Sequence, residues 1–493
     1  MGQTPSLPLP VPSKPPRCER CAGVDWIKLL NGKYPEYDEY SIHQLKAGPC
    51  LDCSLCRFFL EVIAYPREPE SVTQAMWLTV SVGYAEWWTG EEYPEKQRRR
   101  TNQCTWGYEN GTGVSTSYVQ LPPVLGSNYG TERWSGRLRG TLVDYSLLRE
   151  WVTQCCCVHT EECGGVLQSH SGHIKGLKVI DCETRQVILF PSGFDSKFAA
   201  LSYVWGKTST QLSPLLPGGI LPRDLPNTIA DAIEAAMKLQ IPGLRYLLVD
   251  QYCIDQRDTV HKLQQISVMD RIYSSAFITF VAACSQNPSH GLPGVRPRAK
   301  QPRIEMGNTT MISGFVWPDQ IVQNSKWFTR GWTYQECVFS RRRLIFTDDQ
   351  VLFECNTLSR FETLDTPSQL RGSLICDLRF VWEDRSHGLW RHIRAYWKRE
   401  LTFPEDVLNA LTGVFSAFSK LRPFPIRQVF GIPIPTFLYY QVDPAVKGGA
   451  GHGKPVRFDD GSTKDLEQIF ATSLLWCRGF GMPGSVYNPA RRR

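Results

Sequence analysis

The sequence predicts an α/β protein built around an open parallel sheet, and two observations lead to that fold class. Within residues 198–283, apolar runs typical of strands alternate with segments whose apolar residues recur at helical spacing. The runs at 199–204, 246–250 and 277–283 are continuous, which is typical of strands buried on both faces. Strands that alternate with helices favour right-handed crossovers and a single parallel sheet.

An amphipathic helix is predicted after each of the first two strands. In the segment Thr228 to Leu239 the apolar residues fall on one face, and we expect Asn227 to cap its N-terminus. The apolar stripe of the next helix is formed by Leu263, Ile266, Met269, Ile272 and Tyr273. In such sheets, functional groups gather at the carboxyl ends of the strands. That rule directs attention to Trp205-Gly206 and to residues 250–256.

Two hairpins are predicted on either side of this region. Runs at 177–181 and 186–190 flank a short polar turn and lead into the core. Runs at 343–347 and 350–355 are separated by Asp348-Asp349.

The chain of 493 residues is long enough for about three domains of ~150 residues each. Residues 1–17 contain six prolines and are predicted to be a disordered tail. Residues 18–190 are expected to form a Cys-rich α+β region, in which the polar stretch 95–129 is predicted to be an exposed connection or insertion. The core domain is assigned to residues 191–360, and residues 361–493 are expected to be mainly helical.

Composition and charge narrow the function classes. Hydrophobic residues make up 42% of the chain and charged residues 21%, as in ordinary globular proteins, and the net charge is +7. Basic triplets at 98–100, 341–343 and 491–493 are interpreted as solvated surface, because no nucleic-acid-recognition motif accompanies them. We therefore predict no nucleic-acid partner.

Targeting signals favour a cytoplasmic location. No apolar run approaches the ~18 residues of a transmembrane segment, and the N-terminus lacks the apolar stretch of a secretion signal. The 17 cysteines are therefore interpreted as intracellular thiols or metal ligands. Met1-Gly-Gln-Thr-Pro-Ser6 fits the pattern for myristoylation of Gly2, and one acyl chain would give weak, reversible membrane attachment.

Two Cys-x-x-Cys pairs near the N-terminus predict one structural zinc ion, since each turn can deliver two thiolates to the same metal. The predicted ligands are Cys18, Cys21, Cys53 and Cys56. Cys50 or His43 could replace one of them, and free buried thiols are the alternative.

A second group of cysteines, Cys155-Cys156-Cys157, precedes His159 and Cys163. Adjacent residues on one element point in different directions, so three consecutive cysteines rarely bind one ion.

Four motifs follow one another in the predicted core. They are Phe198-Ala-Ala-Leu-Ser-Tyr-Val-Trp-Gly206, Leu225-Pro-Asn-Thr-Ile-Ala-Asp-Ala-Ile233, Tyr246-Leu-Leu-Val-Asp-Gln-Tyr-Cys-Ile-Asp-Gln256 and Trp327-Phe-Thr-Arg-Gly-Trp-Thr-Tyr-Gln-Glu336. Together they resemble the heterokaryon-incompatibility (HET) domain of filamentous fungi. The resemblance implies a role in self/non-self recognition and programmed cell death. It also implies protein partners or self-association through this domain. Residues 401–413 and 471–476 look like the carboxyl-terminal halves of HET proteins.

The HET core resembles the TIR domain, an open α/β signalling module, and some TIR domains cleave NAD through a glutamate in a Trp-x-x-x-Glu helix. Trp332 and Glu336 have that spacing and share one helix face. The resemblance implies that Glu336 is the catalytic carboxylate and that NAD is the substrate, since a carboxylate stabilises an oxocarbenium-like transition state. The cleft is predicted to be lined by Trp205, Gly206, Asp250, Tyr252 and Trp332.

Less specific roles remain open for both acids. Glu336 could form a helix-face ion pair with Arg330 or Arg341 in a non-enzymatic signalling module that oligomerises. Asp250 could bind a ribose, a metal or an amine, or cap the next helix.

Overall fold

The computed structural model describes much of the chain between residues 17 and 435. The described ranges are 17–23, 40–44, 50, 52–64, 79–83, 103–107, 114–120, 135–164, 174–191, 195–206, 213–284, 287–306, 309–315, 318–365, 370–371, 385–401, 406–420, 426–429 and 432–435. The proline-rich tail before Arg17, the acylation motif at Gly2 and the segment 471–476 lie outside these ranges.

Thirteen α-helices occur within the described residues, and a 3-10 turn spans Pro217–Gly219. The helices are α1 Glu19–Ala22, α2 Ser54–Ala64, α3 Tyr145–Val158, α4 Asn227–Lys238, α5 Asp250–Cys253, α6 Thr259–Ile266, α7 Met269–Ser275, α8 Pro318–Asn324, α9 Lys326–Thr329, α10 Gly331–Phe339, α11 Arg385–Trp397, α12 Asp406–Asn409 and α13 Thr412–Ser419.

Nineteen strands occur in the same part of the chain. They are β1 Tyr40–Gln44, β2 Thr79–Gly83, β3 Gln103–Gly107, β4 Val114–Gln120, β5 Ser135–Gly136, β6 Lys178–Asp181, β7 Gln186–Leu189, β8 Lys197–Ser202, β9 Leu244–Leu248, β10 Ile278–Ala282, β11 Arg303–Met306, β12 Thr309–Phe315, β13 Arg342–Phe346, β14 Val351–Cys355, β15 Leu358–Phe361, β16 Leu364–Asp365, β17 Leu370–Arg371, β18 Ile426–Val429 and β19 Ile432–Pro435.

The main sheet has eleven strands in the order β5-β16-β15-β14-β13-β10-β8-β9-β6-β7, with β17 paired to β15. Its centre is parallel, since β8 pairs in parallel with β9 and with β10, and β10 pairs in parallel with β13. The predicted α/β class and the three predicted central strands are therefore confirmed. The sheet is mixed, however, because the strands that flank this centre are antiparallel.

The order of the central strands indicates where a functional site is expected. After β8 the chain adds β9 on one side, then crosses to the other side for β10 and β13. Such a reversal is a topological switch point, and open sheets bind ligands at the carboxyl ends of the strands beside it. The residues that follow β8 and β9 lie at this edge.

Both predicted hairpins are confirmed, and both belong to the main sheet. β6 and β7 pair antiparallel with each other, and β6 also pairs with β9. β13 and β14 pair antiparallel, with all five residues of each strand buried.

Helices cover the sheet. α4 contacts β8 and β9, α3 contacts β14, and α10 contacts α7 and β8. The predicted apolar face of α4 is buried at Ile229, Ala232, Ile233, Ala236 and Leu239, whereas Met237 is 38% exposed.

The predicted N-cap of α4 is wrong. Asn227 is the first helical residue and Pro226 occupies the cap position. The Asn227 side chain instead donates a 2.6 Å hydrogen bond to the carbonyl of Ser289, because the loop that precedes β11 lies against this end of the helix.

A second sheet contains six antiparallel strands in the order β1-β2-β3-β4-β12-β11. β3 and β4 fall within residues 95–129, which the sequence predicted to be an exposed connection or insertion. The stretch is more than a connection, because β3 pairs with β4 and β4 pairs with β12, almost two hundred residues further along the chain. The described residues of the carboxyl-terminal region form α11, α12, α13 and the hairpin β18–β19. No described helix is long and apolar enough to cross a membrane.

Candidate functional site

Glu336 lies on α10, against the carboxyl end of β8, and its side chain is buried. Ser202, the last residue of β8, donates a 2.5 Å hydrogen bond from its hydroxyl to Glu336 Oε2. The same hydroxyl accepts a 2.7 Å hydrogen bond from Nε1 of the buried Trp327. The Ser202 hydroxyl, itself fixed by the Trp327 indole, therefore holds the carboxylate at the end of a central strand.

The surroundings of Glu336 favour its neutral form. Burial raises the pKa of this carboxyl group, against the opposing effects of hydrogen bonds from Ser202 and Tyr273 and of the charges on Arg330 and Arg399. None of the ion pairs among the described residues includes Glu336. The carboxylate is thus held by hydroxyl groups and has no arginine within salt-bridge distance.

The arginines considered as partners of Glu336 are placed differently. Arg341 donates from Nε to the carbonyl of Ser274 at 2.8 Å. The Arg330 side chain acts on Glu336 only through its charge, which lowers the pKa of that carboxyl group.

Asp250 and Trp205 meet at the ends of two adjacent parallel strands. Trp205 Nε1 donates to Asp250 Oδ2 at 3.0 Å, and the Gln251 amide donates to Asp250 Oδ1 at 2.8 Å. Burial, reinforced by the nearby charge of Glu336, raises the pKa of Asp250 to about 7. Glu336 is therefore close enough to affect the ionisation of Asp250.

The remaining predicted site residues have separate contacts. Gly206 has a φ of 94°, in the left-handed region that favours glycine. The Tyr252 hydroxyl donates to the Ser213 carbonyl at 3.3 Å, and Trp332 Nε1 donates to Asp406 on α12 at 3.2 Å. The structure thus joins Trp205 to Asp250 directly, whereas the polar atoms of Tyr252 and Trp332 contact other parts of the chain.

Sequence reasoning missed Ser202, Trp327 and Tyr273 as partners of Glu336. Ser202 was the one hydroxyl residue in a run of apolar strand residues, 198–202, that is otherwise buried core. A buried polar side chain needs a hydrogen-bond partner, and that requirement was the available signal. Nothing in the sequence indicated which residue the partner would be.

The arrangement can support acid–base or electrostatic chemistry. Two carboxyl groups with raised pKa values lie at one edge of the sheet, and Asp250 is partly protonated near pH 7. Paired carboxyl groups whose ionisation differs can supply an acid and a base. The half-buried Trp205 ring lies beside them, where a planar ring could stack.

The four N-terminal cysteines form a separate cluster. The sulfurs of Cys18, Cys21, Cys53 and Cys56 all lie within 4.8 Å of one another. Cys56 Sγ is 3.5 Å from Cys21 Sγ and 3.9 Å from Cys18 Sγ. A tetrahedral zinc site with ~2.3 Å bonds separates its sulfurs by about 3.8 Å, so these residues could hold a zinc ion.

Hydrogen bonds favour a thiolate in this cluster. Burial alone would raise the pKa of Cys53, but hydrogen bonds from neighbouring groups, backbone amides among them, outweigh burial and lower it to about 7. Cys50 lies outside the four-sulfur group, and its carbonyl accepts from the Cys53 amide at 3.0 Å. His43 lies on β1.

Comparison with known proteins assigns the central part of the chain to a family. Residues 198–336 match the family described as Heterokaryon incompatibility protein (HET). The chain is also similar to vegetative incompatibility protein HET-E-1 of Podospora anserina, with 26% identity over 247 residues. That alignment covers 48% of this chain and 16% of HET-E-1. No solved structure matches the chain significantly.

The matched segment contains all four motifs, the parallel strands β8, β9 and β10, and both carboxyl groups of the site. Residues 198–336 of this protein are therefore a heterokaryon-incompatibility domain.

Proposed function

We propose that this protein acts in fungal self/non-self recognition and programmed cell death signalling. The observation that carries the proposal is the HET-family match over residues 198–336. Similarity to a vegetative incompatibility protein supports the same process, although the alignment spans only 16% of that protein. In this proposal the HET domain transmits the signal by binding protein partners or by self-association, without contacting nucleic acid.

The proposal includes a cytoplasmic location. A myristoyl group on Gly2, in a part of the chain outside the described residues, would add weak membrane attachment. Recruitment to a membrane would raise the local concentration of the protein and favour self-association.

Regulated expression of the full chain in a filamentous fungus tests the signalling function. We expect growth arrest on induction of the wild type, and loss of the arrest with Glu336→Ala. Glu234→Ala is the matched control, since Glu234 is an exposed acid of the same domain that pairs with Lys238 on α4. An unaffected colony despite full accumulation of the wild-type protein would reject the proposal.

NAD cleavage at the nicotinamide–ribose bond, as in some TIR domains, is the second candidate function. The observation that favours it is a buried carboxylate at the carboxyl end of β8, beside the point where strand order reverses. Glu336 would stabilise the ribosyl cation or hold the ribose hydroxyls, and Trp205 or Trp332 would stack on a ring of the nucleotide.

Access to Glu336 is the requirement that this second candidate must meet. The side chain is only 5% exposed, and its carboxylate already accepts from Ser202. A ribose hydroxyl would have to replace the Ser202 hydroxyl as the hydrogen-bond donor. We therefore expect turnover to require movement of α10 relative to the end of β8.

Nicotinamide release from NAD, measured by chromatography with concentrated purified protein, tests the enzymatic candidate. Glu336→Gln keeps the size of the side chain and can still hydrogen-bond to Ser202, so it should fold and lose activity. Ser202→Ala keeps the carboxylate and should retain partial activity. If NAD is stable with the wild type, or if Glu336→Gln cleaves it normally, the enzymatic candidate is rejected and the signalling function stands alone.

We also propose that the N-terminal region binds one structural zinc ion. Cys18, Cys21, Cys53 and Cys56 would hold it, with Cys50 or His43 as a substitute for one of them. Four protein ligands leave no open coordination position, so the ion would stabilise the fold without taking part in a reaction. It would fasten α1 to the N-terminal end of α2.

A further inference from the structure

Four buried side chains from distant parts of the sequence converge beside the main sheet. Cys155, His159, Cys163 and Cys355 each present one ligand atom, and these four atoms lie within 4.8 Å of one another. The most exposed of the four side chains, His159, is only 3% exposed. This group, called here the α3–β14 cluster, is separate from the Glu336 site and from the N-terminal cysteines.

Local backbone structure explains how three of the four come together. Cys155 is in the last turn of α3, and the His159 amide donates to the Cys155 carbonyl at 3.0 Å. The Cys163 amide then donates to the His159 carbonyl, also at 3.0 Å. Steps of four residues along a helical path place side chains on one face, so these three side chains point the same way.

The run of three cysteines contributes a single member to the cluster. Cys155 is fully buried in it, whereas Cys156 is half-buried and Cys157 is exposed. That outcome agrees with the expectation that adjacent residues cannot face one ion. The fourth member, Cys355, ends β14 and was not indicated by any sequence motif.

Hydrogen-bond donors surround the sulfur of Cys355. The amides of Thr357 and Leu358, in the turn that follows β14, both lie 3.4 Å from Cys355 Sγ. Two amides directed at one sulfur stabilise the thiolate, which is the form that binds metals. Such donors are typical of the groups that orient and tune a ligand to a metal ion.

Arg342 supplies a positive charge on the other side of the α3–β14 cluster. Its Nε lies 3.2 Å from Cys155 Sγ, and its Nη2 donates to the Cys163 carbonyl at 3.2 Å. The interpretation of residues 341–343 as solvated surface is wrong here, since Arg342 is 2% and Arg343 1% exposed. No ion pair among the described residues joins Arg342 to a carboxylate. A buried guanidinium requires negative charge nearby, and the adjacent groups that can carry one are the thiols.

The imidazole of His159 lacks a full set of partners. Its Nδ1 is 3.5 Å from Cys355 Sγ, and its buried Nε2 has no hydrogen-bond partner in the described structure. An unsatisfied buried polar atom is costly. Metal coordination through Nε2 would remove that cost, whereas coordination through Nδ1 would leave Nε2 without a partner.

We propose that Cys155, His159, Cys163 and Cys355 bind one Zn²⁺ in a structural site that fastens the end of α3 to the end of β14. Three sulfurs and one imidazole nitrogen form a ligand set that zinc prefers. Three thiolates and one Zn²⁺ leave a single negative charge, which Arg342 neutralises. Because the four ligands fill a tetrahedron, the ion has no open position for a substrate.

Metal content of the purified full chain, loaded with Zn²⁺ and desalted, tests the site. Cys355→Ser should bind one zinc ion fewer per chain than the wild type. Cys157→Ser is the matched control, because this exposed thiol belongs to the same run of three and should leave the zinc content unchanged. Cys56→Ser should remove a different ion, so that the double variant Cys56→Ser/Cys355→Ser binds none. Equal zinc content in the wild type and Cys355→Ser would overturn the proposal.

A second measurement covers the case in which Cys355→Ser does not fold. His159→Cys keeps four ligands, so it should retain the metal while changing the donor set from one nitrogen and three sulfurs to four sulfurs. X-ray absorption of zinc bound to Cys56→Ser should give three Zn–S distances of ~2.3 Å and one Zn–N distance of ~2.0 Å, and adding His159→Cys should convert the nitrogen to sulfur. An unchanged spectrum, or a disulfide among the three cysteines detected by mass spectrometry, would refute the site.

Discussion

The hydroxyl of Ser202 on β8 donates a 2.5 Å hydrogen bond to the carboxylate of Glu336 on α10, 134 residues further along the chain. This contact joins the first and last motifs of the HET domain. Trp327, from the last motif, donates to the same hydroxyl, so Ser202 is both a donor and an acceptor. The contact explains why a serine stands at the end of an apolar strand and why a glutamate is buried on the facing helix.

Ser202→Ala should destabilise the protein by about 1–3 kcal/mol, the cost of leaving buried polar partners unsatisfied. The substitution removes the donor to Glu336 and the acceptor for Trp327 at once. Urea unfolding of the full chain measures the change. Ser267→Ala is the control, since its exposed hydroxyl bonds only to the local carbonyl of Gln264. A Ser202→Ala protein as stable as the wild type would show that the contact is not formed in solution.

Asp250→Asn should stabilise the protein at pH 8 more than at pH 5. Burial raises the pKa of Asp250 to about 7 from a usual value of 3.8, so between these values the folded state holds a proton that the unfolded state has lost. The contribution of Asp250 to the free energy of unfolding therefore falls as the pH rises from 3.8 to about 7. Asparagine does not titrate, so the substitution removes this pH dependence. The gain at pH 8 is at most about 4 kcal/mol.

Unfolding curves of the wild type and Asp250→Asn at pH 5, 6, 7 and 8 check this sign. Asp255→Asn is the control, because hydrogen bonds from the Arg257 amide and neighbouring groups lower the pKa of that exposed carboxyl. Its effect should be constant across these pH values. If the stability gained by Asp250→Asn over the wild type becomes smaller as the pH rises, Asp250 does not have the raised pKa assigned to it.

Arg343→Met should cost about 3–5 kcal/mol, because it removes the charge that pairs with the buried carboxylate of Glu354. Arg343 and Glu354 face each other across β13 and β14, with Nε 3.1 Å from Oε2 and side chains at most 1% exposed. The exposed pair Lys238–Glu234 is the comparison, and Lys238→Met should cost less than about 1 kcal/mol. If thermal unfolding shows that Arg343→Met and Lys238→Met lose similar amounts of stability, the expected difference between the buried and the surface ion pair is refuted.

Gly413→Ala should weaken the packing of α13 on the HET domain. A Cβ at residue 413 would lie 2.5 Å from Asp270 Cβ and 2.9 Å from a ring carbon of Phe339. Overpacking of this kind typically costs about 1–3 kcal/mol. Limited proteolysis should cut the carboxyl-terminal region faster in this variant than in Ser419→Ala, a change at an exposed hydroxyl of the same helix. Equal cleavage rates would mean that α13 does not pack there.

Central features of the fold could be predicted because their signals are local. β8, β9 and β10 are continuous apolar runs, and α4 carries apolar residues at helical spacing. The single helix predicted between β9 and β10 is instead two helices, α6 and α7, and Leu263 of its predicted apolar stripe is exposed. The cap of α4 could not be predicted, since it depends on Ser289, which reaches Asn227 from another loop. β4 was missed for the same reason, because its partner β12 lies far away in the sequence.

The candidate site, too, could be predicted from the sequence only in part. Glu336 and Asp250 stand out in the sequence as an acid four residues after a tryptophan and an acid at a strand end. Their partners depend on tertiary contacts, and Trp332 shows the limit: it shares a helix face with Glu336, yet its indole bonds to Asp406. Cys355 of the α3–β14 cluster is likewise invisible in the sequence, since it lies 192 residues from the nearest other member of that cluster in the chain.

The most direct test of the proposed function is the fraction of hyphal compartments that take up a vital dye after induced expression of the full chain in a filamentous fungus. The proposal predicts a rise in dye uptake that follows induction of the wild type and the Glu234→Ala control, and no rise with Glu336→Ala. Full-length wild-type protein that accumulates while dye uptake stays at the level of uninduced hyphae would contradict it.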